Sequence, residues 1–326
     1  MSTFTINTAY TLADVLKSYD PENKLHHIID IFKDKRPILE EAFWTESNRE
    51  TSHEFMRLVS KPTGANTQID EGYLKEGVQT TPATEQLAMI GSRFEIDKRL
   101  LEIQRDGVAW RAQRAQLHVR GMLENFNRKF WVDSKATDSK AVDGILTRYN
   151  ALAATNVKDS STTDTGSPAY YPVVIMGWGA DRVSLLYPKW GQNTFVEDDR
   201  GLVDLLDVNG NPFPGYRSYF NFRYGIMVGD ERYVQRLVNI DANAIKGDTN
   251  GTFENDLIEL VNKLPDPNNC AIYVGRQIMT GIQQRLNSKS NLYFTRENVW
   301  DRMMPTFQGI PIIRDDALST AESAVS

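Results

Sequence analysis

Residues 97–131 read DKRLLEIQRDGVAWRAQRAQLHVRGMLENFNRKFW, from Asp97 to Trp131. The stretch lacks proline, and Gly107 and Gly121 are its only glycines. Steps of three and four pass through Leu101, Arg105, Val108, Ala112, Ala115, Val119, Met122, Phe126 and Phe130, an apolar stripe broken only by Arg105. Arg99, Arg111, Arg114, Arg120 and Arg128 sit mostly off that stripe. The spacing predicts one helix over 97–131, about 50 Å long at ~1.5 Å per residue. Few helices of globular domains reach that length, so it reads as a spine on which separate pieces lean.

The chain around it is α+β. Upstream, Leu12, Val15 and Leu16 form a short amphipathic pattern, and Pro37 stands where a helical turn should begin. Such an arm cannot bury itself alone. Residues 53–59 favour a strand, and Ala88, Ile90, Phe94 and Ile96 define one face of a second. Between them lies a polar interval, Ser60–Glu85, far longer than an ordinary turn and therefore of functional interest. Downstream, strands are expected at 145–147, 172–176, 184–187, 224–228, 233–240, 270–274 and 309–313, with helices at 255–264 and 277–286. Asp207–Asn211 should be a tight turn between extended arms. Asn156–Ser167 and the small polar tail Ser319–Ser326 should be irregular.

With 326 residues, 37 basic and 43 acidic side chains and net charge −6, the chain is not one whose main work is gripping nucleic acid. Cys270 is the only cysteine, which excludes an intrachain disulfide and a multi-thiolate zinc site. Its strand-like setting marks it as a small buried hydrophobe. No apolar run approaches a membrane span and the N-terminus lacks signal-peptide character, so the expectation is a protein kept in a reducing cytoplasm or released by lysis.

The chemical motifs are weak. Asp207, Asn209 and Asn211 have the spacing that opens a calcium loop, but Ser218 stands where the bidentate glutamate is required. Gly177-Trp-Gly179 lacks the third glycine and the lysine of a phosphate-binding loop. Glu197, Asp198 and Asp199 read as a solvated loop or a subunit salt-bridge partner. His26 and His27 point apart on a helix, and His118 reads as a surface or interface group. The expectation is no catalytic, cofactor-binding or metal residue, no cofactor, and no enzymatic activity.

Several stretches together carry a resemblance. They are Met176-Gly-Trp-Gly179, Leu186-Tyr-Pro-Lys189, Gly225-Ile-Met-Val-Gly-Asp-Glu-Arg-Tyr-Val234, Val238-Asn-Ile-Asp241 and Phe307-Gln-Gly-Ile-Pro-Ile-Ile-Arg-Asp-Asp316. In this order, and with an arm, a long loop and a spine, the chain resembles the major capsid proteins of tailed double-stranded DNA bacteriophages, especially the short-tailed group. The resemblance implies an N-terminal arm at 1–46 and an extended β-loop at 47–96. It implies a peripheral domain at 97–150, an axial domain with further peripheral strands at 151–305, and a closing strand and tail at 306–326. Strands from 172 to 240 preceding a helix–strand–helix unit at 255–287 depart from the commonest order and point to a rearranged connection.

The implied function is an icosahedral virion shell built from pentamers and hexamers, assembled in the host bacterial cytoplasm around double-stranded DNA. Arm and loop would contact other copies. Portal, scaffold and decoration proteins are the further partners, with sequence-independent proximity to DNA and no membrane. Some relatives cross-link through a lysine, and Lys61 and Lys75 lie in the loop; non-covalent contact is the expectation here. A tail or other virion structural protein is the alternative, although the repeats and glycine patterns of fibres are absent.

Overall fold

In the computed structural model, residues 37–103, 106–160, 169–189, 194–207, 209–242, 245, 251–286, 294–299 and 302–325 are described. Most of the arm at 1–46, His26 and His27 included, lies outside them. The elements are helix α1 (Pro37–Glu41), strands β1 (Trp44–Glu46), β2 (Ser52–Ser60) and β3 (Gln79–Asp97), then helices α2 (Lys98–Glu102), α3 (Gly107–Val132) and α4 (Ile145–Arg148). Next come β4 (Val157–Asp159), β5 (Tyr171–Gly177), β6 (Val183–Tyr187), β7 (Phe195–Leu206), β8 (Pro212–Val228) and β9 (Val234–Ile240). The chain continues through α5 (Thr252–Lys263), β10 (Cys270–Val274), α6 (Arg276–Leu286), β11 (Phe294–Val299), β12 (Arg302–Phe307) and β13 (Ile310–Arg314). It is an α+β fold.

Two compact units form from separated segments. The first takes residues 89–127 and 194–223, the second 37–88, 128–189 and 224–325. In the first, β7 and β8 pair antiparallel from Phe195↔Phe222 to Leu206↔Pro212, and the β3 residues of this unit lie on the other side of β8. Helix α3 packs on this sheet through aromatic rings. Phe126 meets Phe222 edge-on at 4.9 Å, and His118 sits between Phe94 at 5.1 Å and Phe220 at 6.4 Å.

The single helix expected over 97–131 is two. Asp106 accepts a hydrogen bond on its side chain from the Ala109 N–H at 3.1 Å, which is an N-cap and starts α3 afresh. The Asp106-Gly107 pair carried that start signal. The buried seam also differs from the expected stripe. It runs in fours through Trp110, Arg114, His118, Met122, Phe126 and Phe130, whereas Val108 is 83% exposed and Ala112 is exposed. A strictly apolar stripe misses this seam because two polar side chains occupy it. The Arg114 guanidinium lies 5.1 Å over the Trp110 ring, and His118 Nδ1 bonds Ser92 Oγ at 3.1 Å. His118 is thus a half-buried packing group rather than a surface one, its pKa lowered by burial.

The second unit contains a seven-stranded sheet in the order β11-β12-β13-β10-β5-β9-β4. Strands β5, β9 and β10 are buried on both faces, which explains the near-continuous apolar runs of β5 and β10, whereas β9 also buries Gln235, Arg236 and Asn239. Phe253, Leu257 and Leu260 of α5 and Ile278 and Ile282 of α6 join Val173, Ile175, Ile272 and Ile312 in the core. Trp131, Trp178 and Tyr273 form an aromatic layer, with Trp131 5.6 Å from Tyr273. Strand β1 pairs parallel with β6, β6 antiparallel with β8 over 183–186 and 225–228, and β2 antiparallel with β3 over 52–60 and 79–86.

Four further expectations change. The predicted strand at 145–147 is helix α4, capped at Gly144, Glu197–Asp199 lie in strand β7 rather than a loop, and Val157–Asp159, in the stretch expected to be irregular, form strand β4, while 161–167 lie outside the described residues. The tail after Ser319 is docked: Glu322 N–H bonds the Tyr170 carbonyl at 2.9 Å, and Val325 exchanges two hydrogen bonds with the Asn239 side chain, at 2.8 and 3.0 Å.

Candidate assembly surface

The sequence of the β2–β3 ribbon explains its state. Lys61 to Val78 carries three glycines and a proline, and its apolar residues are too scattered to form a face. Every residue from Leu58 to Pro82 is exposed. The connection is shaped locally: Gly64 N–H bonds Glu76 Oε2, Gln68 N–H bonds Glu71 Oε2, and Asp70 adopts φ +69° in a turn. Ile69, Tyr73 and Leu74 are 95%, 90% and 74% exposed, and Met56, Val59 and Val78 are each more than half exposed. These apolar side chains are exposed singly along one segment rather than joined in a face.

The root of the ribbon is held firmly. Arg148 of α4 grips Glu85 of β3 through two hydrogen bonds, at 2.7 and 2.9 Å, and also donates to the Asp143 and Ile226 carbonyls. On β2, Arg57 pairs with Glu231 at 2.7 Å and donates to the Val228 carbonyl at 2.6 Å. Lys135 Nζ reaches Gln86 Oε1 at 2.8 Å. These groups line a polar cleft of about 690 Å³ with Tyr149 and Asn156. The sequence reading singled out none of them, because the Arg57–Glu231 and Glu85–Arg148 pairs join segments far apart in the chain. A polar residue in a polar tract gives no local signal of such a partner.

The sequence-derived chemical candidates disperse. Asp207 accepts bonds from the Asn211 backbone and side chain and from the Asn209 N–H, which hold its carboxyl below the usual range and make it a turn cap. Asp199 pairs with Arg111 at 2.6 Å while Asp198 pairs with Arg200 at 2.8 Å, so the acidic run on β7 splits between partners. Among the described residues no group of three or more His, Cys, Asp or Glu side chains is placed to hold a metal ion. Gly177 is a packing glycine: a Cβ there would lie 2.7 Å from the Tyr233 ring. Trp178 beside it donates to the Tyr273 hydroxyl at 2.7 Å. Cys270 is buried, its thiol pushed up to about 11 by burial. Lys61 and Lys75 are both exposed. No helix among the described residues is long and apolar enough to cross a membrane.

Comparison with known proteins supplies the context for this surface. A chain from the near-atomic-resolution structure of bacteriophage Epsilon15 matches with a TM-score of 0.71 and 22% identity, covering 99% of both chains. A chain of the bacteriophage JBD30 capsid matches with a TM-score of 0.53 and 10% identity, over 89% of this chain and 93% of that one. At such identities the likeness shows a common fold. None of the curated proteins matches the chain. The family model described as Major capsid protein GP7 matches residues 20–326, nearly the whole sequence, and the chain belongs to that family of phage major capsid proteins.

Proposed function

We propose that this capsid protein closes an icosahedral head from rings of five and six copies, and that the β2–β3 ribbon carries a principal contact between neighbouring copies. The observation that supports this reading is the unbroken exposure of Leu58–Pro82, with Ile69, Tyr73 and Leu74 at its far end, above a root fixed by Arg148 and Arg57. An apolar tip on a firmly seated stem suits a contact repeated identically around a ring. The protein acts by assembly, not by catalysis, and resides in the virion after assembly in the host cytoplasm.

In domain terms, 1–46 serves as an arm and 47–96 as the extended loop. Residues 97–150 are the core of a peripheral domain, 151–305 supply an axial domain with further peripheral strands, and 306–326 close the chain. Portal, scaffold and decoration proteins are the further partners. With net charge −6, DNA lies near the shell without sequence-specific contact.

The test replaces Lys61–Val78 with Asn-Gly and pairs this with the double variant Tyr73→Asp, Leu74→Asp in the full chain. Both proteins should keep wild-type circular dichroism and thermal midpoint and sediment as monomers or small oligomers, with no closed particles by negative-stain microscopy. Closed shells from the loop-replaced protein would sink the proposal.

A further inference from the structure

The sheet of the first unit, β7-β8-β3, ends in two edges that no described strand covers. The outer side of β7 is bare, and the pairing of β3 with β2 stops at Gln86, which leaves 88–97 open. Such edges are templates for another chain, and proteins usually blunt them. The bulge between Asp199 and Gly201 blunts β7 only beyond Asp199. Before it, the Thr194 carbonyl accepts the Arg223 N–H at 2.7 Å, and the antiparallel alternation from that bond turns the backbone groups of Phe195, Glu197 and Asp199 outward.

The three strands are in step. Gly91 stands against Asn221 and Glu95 pairs with Arg217 at 2.6 Å, while Asn221 is level with Val196 and Tyr219 with Asp198. One face therefore carries rows that run from Gly91 to Val196 and from Arg93 to Asp198. The face beneath α3 carries rows from Ile90 to Phe195 and from Ser92 to Glu197, as the Ser92–His118 bond and the Phe195–Phe220 stack show. Strand β8 is antiparallel to both neighbours, with Gly215 next to the Ile96 carbonyl, so β7 and β3 point the same way.

The two edges are complementary. Beside Ile90 and Ser92, β3 and α3 enclose a groove of about 430 Å³ that is also lined by Leu117, His118, Gly121 and Met122. No β8 residue lines it, so it opens on the side of β3 away from β8. Gly121 costs about 1 kcal/mol against alanine inside a helix, yet nothing lies within 4 Å of an added Cβ, so its own chain gives no reason for a glycine there. The opposite edge offers exposed Val196 and Glu197, and its charges mirror those of β3: Asp198 pairs with Arg200 at 2.8 Å, and Arg93 with Glu95 at 3.5 Å.

We propose that β7 of one copy adds in parallel to the β3 edge of the next, so that the β7-β8-β3 sheet continues from copy to copy. Added level, the incoming strand sets Val196 beside Gly91 and Asp198 beside Arg93, and the two ion pairs merge into one cluster of balanced charge. On the other face Phe195 meets Ile90 and Met122, and Glu197 meets Ser92 and His118 in the groove. Three strands at about 4.8 Å place successive α3 helices ~14 Å apart, wider than the 8–10 Å of packed helices, so they do not collide. The joint uses a different surface on each partner and is therefore head-to-tail, the kind that closes rings. It uses no ribbon residue, so this joint and the ribbon contact fail separately: loop replacement tests one and the edge variants below test the other.

The test mixes two full-length chains, one carrying Val196→Cys and the other Gly91→Cys, under mild oxidation. Paired neighbouring strands hold Cα atoms about 5 Å apart, within disulfide reach, so the mixture should give a covalent one-to-one dimer at least about tenfold above either chain alone. Adding Glu197→Pro to the first chain removes an outward N–H and spares the β7–β8 ladder; the dimer should fall at least about tenfold with circular dichroism unchanged. Charge exchange is the second arm. Arg93→Asp or Asp198→Lys alone should raise the concentration at which copies associate, read by sedimentation, about fivefold, because every joint then opposes like charges. An equimolar mixture of these two should return it to within about twofold of wild type, since each then finds its opposite on the other chain. No covalent dimer, a dimer indifferent to Glu197→Pro, or no recovery on mixing would overturn the proposal. Should Glu197→Pro not fold, the charge exchange decides.

Discussion

Arg148 and Glu85 meet side to side, Nη1 on Oε1 at 2.7 Å and Nη2 on Oε2 at 2.9 Å, and both are mostly shielded from solvent. The pair ties β3 to α4 at the root of the β2–β3 ribbon.

Arg148→Ala should cost about 3 kcal/mol, because it strands a shielded carboxylate and removes the donor to the Asp143 and Ile226 carbonyls. Glu85→Gln keeps an acceptor and should cost about 1 kcal/mol. Urea unfolding gives both numbers, and particle yield should drop for each variant. Wild-type stability together with wild-type yield in Arg148→Ala would show that the grip is idle.

Two glycines of α3 should respond oppositely to alanine. At Gly107 an added Cβ would lie 2.5 Å from the Leu101 carbonyl oxygen, so the helix start must shift. A loss of about 1–3 kcal/mol is expected despite the higher helix propensity of alanine. At Gly121 nothing lies within 4 Å of the added carbon, and the substitution should stabilise by about 0.5–1 kcal/mol. Thermal midpoints of the two single variants settle the comparison.

These glycines also show what the sequence could tell. Asp106 before it marks Gly107 as a helix start, but the close approach of the Leu101 carbonyl that makes a Cβ costly there leaves no trace in the pattern. Strands β5, β6 and β10 were legible because branched apolar runs bounded by turns have few other uses. The β7 strand was not, because Glu197, Asp198 and Asp199 hide the period that their partners on β8 and α3 make sensible. The ribbon was visible as an excursion too long and polar for a compact domain, though β3 begins at Gln79, well before the apolar face that marked it. Its stem was invisible, since Glu85 and Arg148 announce nothing until the fold brings them together.

The docked C-terminus supplies a third test. Arg236 is fully buried, donates to the Leu146 and Tyr149 carbonyls at 2.8 and 2.6 Å, and pairs with Glu322 at 2.6 Å. Burial lowers the Arg236 pKa and raises that of Glu322, and the ion pair between them opposes both shifts. Removal of residues 321–326 leaves the guanidinium without its counter-charge and Asn239 without Val325, and should cost about 3–5 kcal/mol. Denaturant unfolding of the truncated chain reads this directly. A loss below about 1 kcal/mol would mean that water replaces the tail.

The exposure of Leu58–Pro82 has a kinetic consequence for the growing shell. If the ribbon carries the proposed contact, its exposed side chains lose freedom at the moment of association, so the first few subunits to meet would bear a loss that few contacts yet offset. Each later arrival joins a rim where more neighbours are already in place. Such growth would have a nucleation barrier: dilute subunits should stay apart, and above a threshold concentration completed particles should outnumber partial ones.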